Sequence, residues 1–174
     1  MRASDGAAMT NDNATTKQPK TRVSPPVGVD SGPWVLVHNP SMCKTITHRV
    51  KFKAAPEAVY EVLADSRQHS RMTGKKATIS TKIGGTFSAR ADEVTGVNVD
   101  LAPARRIVQA WRHRSFPEGI FSMAAVTLTP TPDGGTELVL THRGVPKALI
   151  PETEQAWREE YWSPMKAYLD RSSP

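Results

Sequence analysis

Cysteine is almost absent: the 174 residues contain only Cys43, so no intrachain disulfide and no CxxC-type zinc set can form. A reducing cytoplasm is the expected compartment. Long apolar runs are lacking as well. Nothing approaches the roughly 18 consecutive apolar residues that a membrane span needs, and the early stretch "ASDGAAMTNDNATT" is polar where a secretory signal would be apolar. There is no HExxH motif, and Gly84 and Gly85 join two strands instead of opening a helix, as a phosphate loop would. Neither a metal nor another cofactor is therefore expected. The sequon at Asn13, Ala14 and Thr15 would matter only in a secreted chain.

Aromatic residues are few, 6% of the chain, and ten of the eleven fall after residue 41. Residues 1–41 hold the remaining one, Trp34, with five of the fourteen prolines and the run "TNDNATTKQPKTRVSPP". Such a segment buries too little apolar surface to offset the entropy of ordering it, so it is expected to be a disordered, low-complexity tail. Met42, heading "MCKTITHRVKFKA", would equally serve as the start of the domain. The folded unit is then residues 42–174, with 19 Lys and Arg against 14 Asp and Glu, long enough to bury a core without disulfides.

Within that unit "KTITHRVKF" alternates Ile46, His48, Val50 and Phe52 against polar residues, the mark of a half-buried strand. Pro56 opens "PEAVYEVLAD", a short helix with Val59, Val62 and Leu63 on one stripe, and "SRQHSRMTG" adds a turn or two that Gly74 stops. Strands are predicted at 77–82, 85–91, 94–101, 106–114, 121–129 and 135–143, separated by turn-forming Gly, Pro and Asp pieces. Close succession implies an antiparallel meander. Residues 151–171 then form a long helix that places Trp157, Tyr161, Met165, Tyr168 and Leu169 on one face. Pro164 inside it should kink it by removing a hydrogen bond and crowding the Glu160 carbonyl. The fold class is therefore α+β: a curved antiparallel sheet of about seven strands wrapped around a C-terminal helix.

The inner strand faces are not clean. In "RIVQAWRHRSFPEG" Ile107, Gln109, Trp111 and His113 share one side and Val108, Ala110, Arg112 and Arg114 the other. Either a polar-lined cavity or a packed core with satisfied polar groups explains that mixture.

The stretches "FKAAPEAVYEVLAD", "IGGTFS", "VTGVNVDLAPARRIVQAWRHRSFPEG", "GGTELVLTHRGVP" and "QAWREEYWSPMKAYL" together resemble the activator of heat-shock protein 90 ATPase homologue family. That family lies within the START-like helix-grip superfamily, which includes plant allergens and lipid-transfer domains. The resemblance covers about residues 44–170 and implies the helix-grip fold. It also implies two kinds of partner: an apolar or amphipathic small molecule between sheet and helix, or the 90-kDa chaperone whose ATPase the co-chaperones stimulate. Those co-chaperones carry a separate N-terminal domain, which residues 1–41 do not match. Ala156 stands where many relatives have glycine.

The candidate ligand-binding residues are Trp111, Met123, Trp157 and Tyr161, with His113 or His142 to fix a polar end. Each has a plain alternative: an aromatic at helical spacing is ordinary core, and Arg112 beside Trp111 either binds an anion or pairs with an acid. No nucleophile or carboxylate stands at catalytic spacing to these histidines, so binding and not catalysis is expected. An enzyme acting on a cyclic or polyketide-like substrate is a remainder without a constellation to carry it. Only "RHR" and "GKK" cluster basic residues, so nucleic-acid binding is not expected, while a preference for anionic partners is.

Overall fold

The computed structural model describes residues 43–172. The expectations of a disordered tail over 1–41 and of an alternative start at Met42 lie outside the described residues. Strand β1 (Cys43–Phe52) is followed by helices α1 (Pro56–Ala64) and α2 (Ser66–Thr73). Strands β2 (Thr78–Ile79), β3 (Thr86–Ala89), β4 (Val94–Ala102), β5 (Arg106–His113), β6 (Ser122–Pro130) and β7 (Thr136–Pro146) come next. A 3-10 turn at Lys147–Leu149 leads into the C-terminal helix, made of α3 (Ile150–Ala156), a wide π segment (Trp157–Trp162) and α4 (Ser163–Ser172). The sheet order is β1-β7-β6-β5-β4-β3-β2, antiparallel throughout. This is the expected meander, with the first strand added beside the last at one edge.

Alternation dictates what each strand buries. Ile46, His48 and Phe52 turn inward from β1 while Thr47, Arg49 and Lys51 face out. Leu138, Leu140 and His142 do the same on β7, and Leu138 and Leu140 meet Ile46, Val59, Val62 and Met165 in the core. Asp65 caps α2 by accepting hydrogen bonds from the Arg67 and Gln68 amides, and Gly74 ends it at φ 68°, which glycine adopts without strain. Opposite Trp111, Gly96 leaves room for the neighbouring strand: a Cβ there would stand 2.6 Å from the Phe87 ring.

Two strands are shorter than expected. The stretch 85–91 ends at Ala89 because Arg90, Ala91 and Asp92 take φ of 57°, 55° and 65°. No glycine or proline announces that turn, and each left-handed residue costs roughly 1–2 kcal/mol. Tertiary contacts hold it: the Arg90 guanidinium pairs with Glu93 at 2.7 Å and with Glu160 on the C-terminal helix, and the Ala91 amide donates to the Lys76 carbonyl. That last bond lies beyond β2, which keeps only Thr78 and Ile79 of the expected 77–82.

Pro164 distorts the C-terminal helix as its missing N–H requires, but by widening the turn that precedes it. The Ser163 amide donates to the Arg158 carbonyl, five residues back, the bonding of a π turn. On an ideal α-helix Trp157 and Trp162 would point about 140° apart. Here the wider turn stacks them, with ring centroids 5.1 Å apart and planes at 16°.

Candidate functional site

The space between sheet and helix is occupied by rings. Trp111 of β5 lies 4.9 Å from His142 of β7, edge to face, and 6.0 Å from Trp157. Tyr161 packs 4.6 Å from Trp157, and Phe116 closes the other side of Trp111 at 5.7 Å. All five are buried. Such contacts between rings favour tilted and offset arrangements, as seen here.

Hydrogen bonds fix the polar edges of this cluster. The Trp157 indole N–H donates to Nδ1 of His142 at 3.0 Å, and since an indole nitrogen can only donate, Nδ1 must be the unprotonated nitrogen. His142 therefore carries its proton on Nε2 and donates to Ser122 Oγ at 2.7 Å. Ser122 in turn donates to the Trp111 carbonyl at 2.9 Å. The chain of donors runs away from the histidine. A nucleophilic serine needs the opposite, a histidine nitrogen ready to accept its proton, so the Ser122–His142 pair is a structural strut in this arrangement. Burial holds the His142 pKa down to about 4, which keeps the ring neutral near pH 7.

A parallel strut stands one turn on. Trp162 donates to Nδ1 of His48 at 2.8 Å, leaving the protonated Nε2 of His48 buried without a partner among the described residues. His69 of α2 donates from Nδ1 to the Val62 carbonyl at 3.1 Å, and burial lowers its pKa to about 4. Tyr161 is pushed up to about 12 by burial.

Two small gaps flank the rings. One, of about 20 Å³, is lined by Arg90, His113, Ser115, Glu152 and Thr153 together with Trp111, Trp157 and Tyr161. The other, of about 30 Å³, lies deeper, against Leu63, Phe87, Ile107, Val126 and the same three rings. Each has room for a water molecule or two, far short of the several hundred cubic ångströms of a small-molecule site. At the first gap His113 accepts from the Ser115 amide at Nδ1. Burial is the largest influence on its pKa and lowers it, Arg90 lowers it further, and Glu152 and Glu93 partly oppose them. The Arg90 side chain is only 7% exposed, and its Nε has no hydrogen-bond partner among the described residues.

Of the six sequence-derived candidates, Trp111, His142, Trp157 and Tyr161 meet in one cluster and His113 stands at its rim. Met123 does not join them. Its strand neighbours Ser122 and Ala124 are buried, so the two-residue period turns Met123 to the outer face, where it is 39% exposed beside Phe121. Arg112 makes no ion pair among the described residues; it donates to the carbonyls of His113, Phe116 and Pro117 and so shapes the β5–β6 loop. Sequence reading passed over Arg90, which sits in an unheralded turn. It also passed over Ser122, and over Trp162, which an ideal helix would aim away from Trp157. The spacing of Pro164 after the two tryptophans was the one available signal. No group of three or more His, Cys, Asp or Glu suited to a metal ion occurs among the described residues.

Comparisons with known proteins bear on the family and the fold. A profile of the family described as "Activator of Hsp90 ATPase homolog 1-like protein" matches residues 53–170. The human "Activator of 90 kDa heat shock protein ATPase homolog 1" is 34% identical over 124 residues, which cover 71% of this chain and 36% of that protein. The Dictyostelium discoideum activator is 26% identical over 130 residues, covering 75% and 34%. The chain thus spans about a third of the length of the curated relatives it matches. Among solved structures, an HSP90 activator from Plasmodium falciparum superposes with a TM-score of 0.67 at 22% identity, over 74% of this chain and 96% of that one. That likeness bears on the fold.

Proposed function

The chain belongs to the activator of Hsp90 ATPase homolog 1-like family, and from that premise we propose that it is a non-catalytic binding domain that works through its outer surface on a 90-kDa heat-shock chaperone, raising its ATPase rate. One observation carries this reading: the grip between sheet and helix is filled by the protein's own Trp111, His142, Trp157, Tyr161 and Trp162. A filled interior leaves the exterior to meet a partner. The chaperone is suggested by the names of the relatives, which concern proteins of which this chain matches only about a third. Such a role belongs in the cytoplasm, and no helix among the described residues is long and apolar enough to cross a membrane.

The contact surface we favour is the outer face at the start of β6. Phe121, 52% exposed, stands there with Ile120 and Met123, and Arg143 lies opposite Met123 on β7. An apolar centre with a cationic neighbour is the composition of a protein contact. The test is an ATPase titration with the cognate chaperone. Stimulation that is lost in Phe121→Ser supports the reading, and a flat rate with wild-type protein refutes it.

A second reading has its own observation. The two gaps share Trp111, Trp157 and Tyr161 as walls, so turning those rings would merge them into one space with His113 and Arg90 at its polar end. An apolar or amphipathic small molecule would then bind by displacing the plug. A native mass spectrum of protein from its own host tests this: an added mass released on denaturation favours it, and the bare protein mass counts against it.

A further inference from the structure

Beyond Trp162, a cleft of about 400 Å³ opens to solvent between the C-terminal helix and β1. Its walls are Arg49, Val50 and Lys51 from β1 and Arg158, Trp162, Ser163 and Lys166 from the helix. Consecutive residues of a strand face opposite ways. A space touched by Arg49, Val50 and Lys51 alike must therefore run along the edge of β1 and not over either face. That edge is the end of the sheet: among the described residues β1 pairs with β7 on one side only. Every second residue of such a strand turns its N–H and C=O outward, away from its neighbour.

Charge distinguishes what the edge can accept. Four cations line the cleft and no acid does. Two are partly balanced from outside it: Arg49 pairs with Glu137 at 2.6 Å, and Arg158 stands 3.9 Å from Glu154. Lys51 and Lys166 make no ion pair among the described residues, although the Asp133 carboxyl feels the charge of Lys51, so the cleft keeps a positive excess. A second copy of this edge would bring its own Arg49 and Lys51 against these and be repelled, the usual protection of an exposed strand. An acidic strand would be drawn in.

We propose that this cleft binds an extended acidic segment of a partner protein, which adds as an eighth strand beside β1 and sets its carboxylates against Arg49, Lys51, Arg158 and Lys166. The backbone of the incoming segment bonds to the free edge, and its alternate side chains meet Arg49 and Lys51 on one side and Val50 with the helix's Trp162, Arg158 and Lys166 on the other. The inference stands apart from the chaperone reading, because it names a chemistry and not a particular partner.

Fluorescence polarisation of the full chain tests it, with a labelled peptide that alternates glutamate and valine as the probe. Saturable binding is expected, weakening as salt is raised, and Lys51→Glu with Lys166→Glu should weaken it about tenfold. Both lysines are exposed, so circular dichroism should remain that of the wild type. A peptide of the same charge with prolines replacing the valines should bind more weakly, because half of its backbone N–H donors are gone and its extended geometry is restricted. Absence of binding to the wild type overturns the proposal, as does equal binding by the proline peptide, the mark of a simple polyanion site. Unchanged affinity in the double variant overturns it too.

Discussion

The indole N–H of Trp162 reaches Nδ1 of His48 across 2.8 Å, tying the C-terminal helix to the first strand over 114 residues of sequence. Both partners are buried, so the bond exchanges no partner with water once the domain is folded. Trp162→Phe keeps most of the ring packing and removes the donor. It should cost about 1–3 kcal/mol through the unsatisfied imidazole nitrogen. A urea unfolding series would measure it, and in the double variant with His48→Leu the two losses should be clearly less than additive. Full additivity would show that the two residues do not interact.

Stability should fall on mild acidification. His142 and His69 have folded pKa values of about 4 against an ordinary 6.5. Between those values the unfolded chain binds protons that the folded chain refuses, so stability rises with pH. It is complete above about pH 6.5 and declines as pH falls toward 4. The decline is on the order of 3 kcal/mol for each histidine. Urea midpoints at several pH values would follow it, and His69→Leu should flatten the profile between pH 6.5 and 4. A profile unchanged by that substitution would contradict the assignment.

Trp157 is a strut before it is anything else. Trp157→Ala removes a buried indole from contact with Trp111, Tyr161 and Trp162 and leaves Nδ1 of His142 without its donor. A loss of about 3–5 kcal/mol is expected. Thermal unfolding checks this, and a loss under 1 kcal/mol would mean that the ring lines a space instead of filling one.

The left-handed turn offers a change of the opposite sign. Ala91 is exposed and held at φ 55°, where glycine is at ease. Ala91→Gly should raise stability by about 0.5–1 kcal/mol, the relief of strain exceeding the entropy glycine adds to the unfolded chain. A lowered urea midpoint would show that this turn is less strained than its backbone implies.

Much of the scaffold was legible because its signals are local. The two-residue alternation in "KTITHRVKF" set Ile46, His48 and Phe52 on one face before any partner strand was known, and these are buried. Pro56 and Gly74 marked helix ends for reasons contained in single residues. By the same alternation Met123 turns outward, between its buried neighbours Ser122 and Ala124.

What the sequence determined by itself, then, was the order of elements and the aromatic stripe that the last helix turns toward the sheet, since periodicity and turn chemistry act over a few residues. Tertiary structure decided whether that stripe lines a cavity or fills it. It decided that Pro164 would widen a turn and stack Trp157 on Trp162, and that Arg90 would hold a left-handed turn by reaching Glu160. Each of those outcomes depends on groups brought together from distant parts of the chain, where sheet register and packing set the distances and local pattern carries no information.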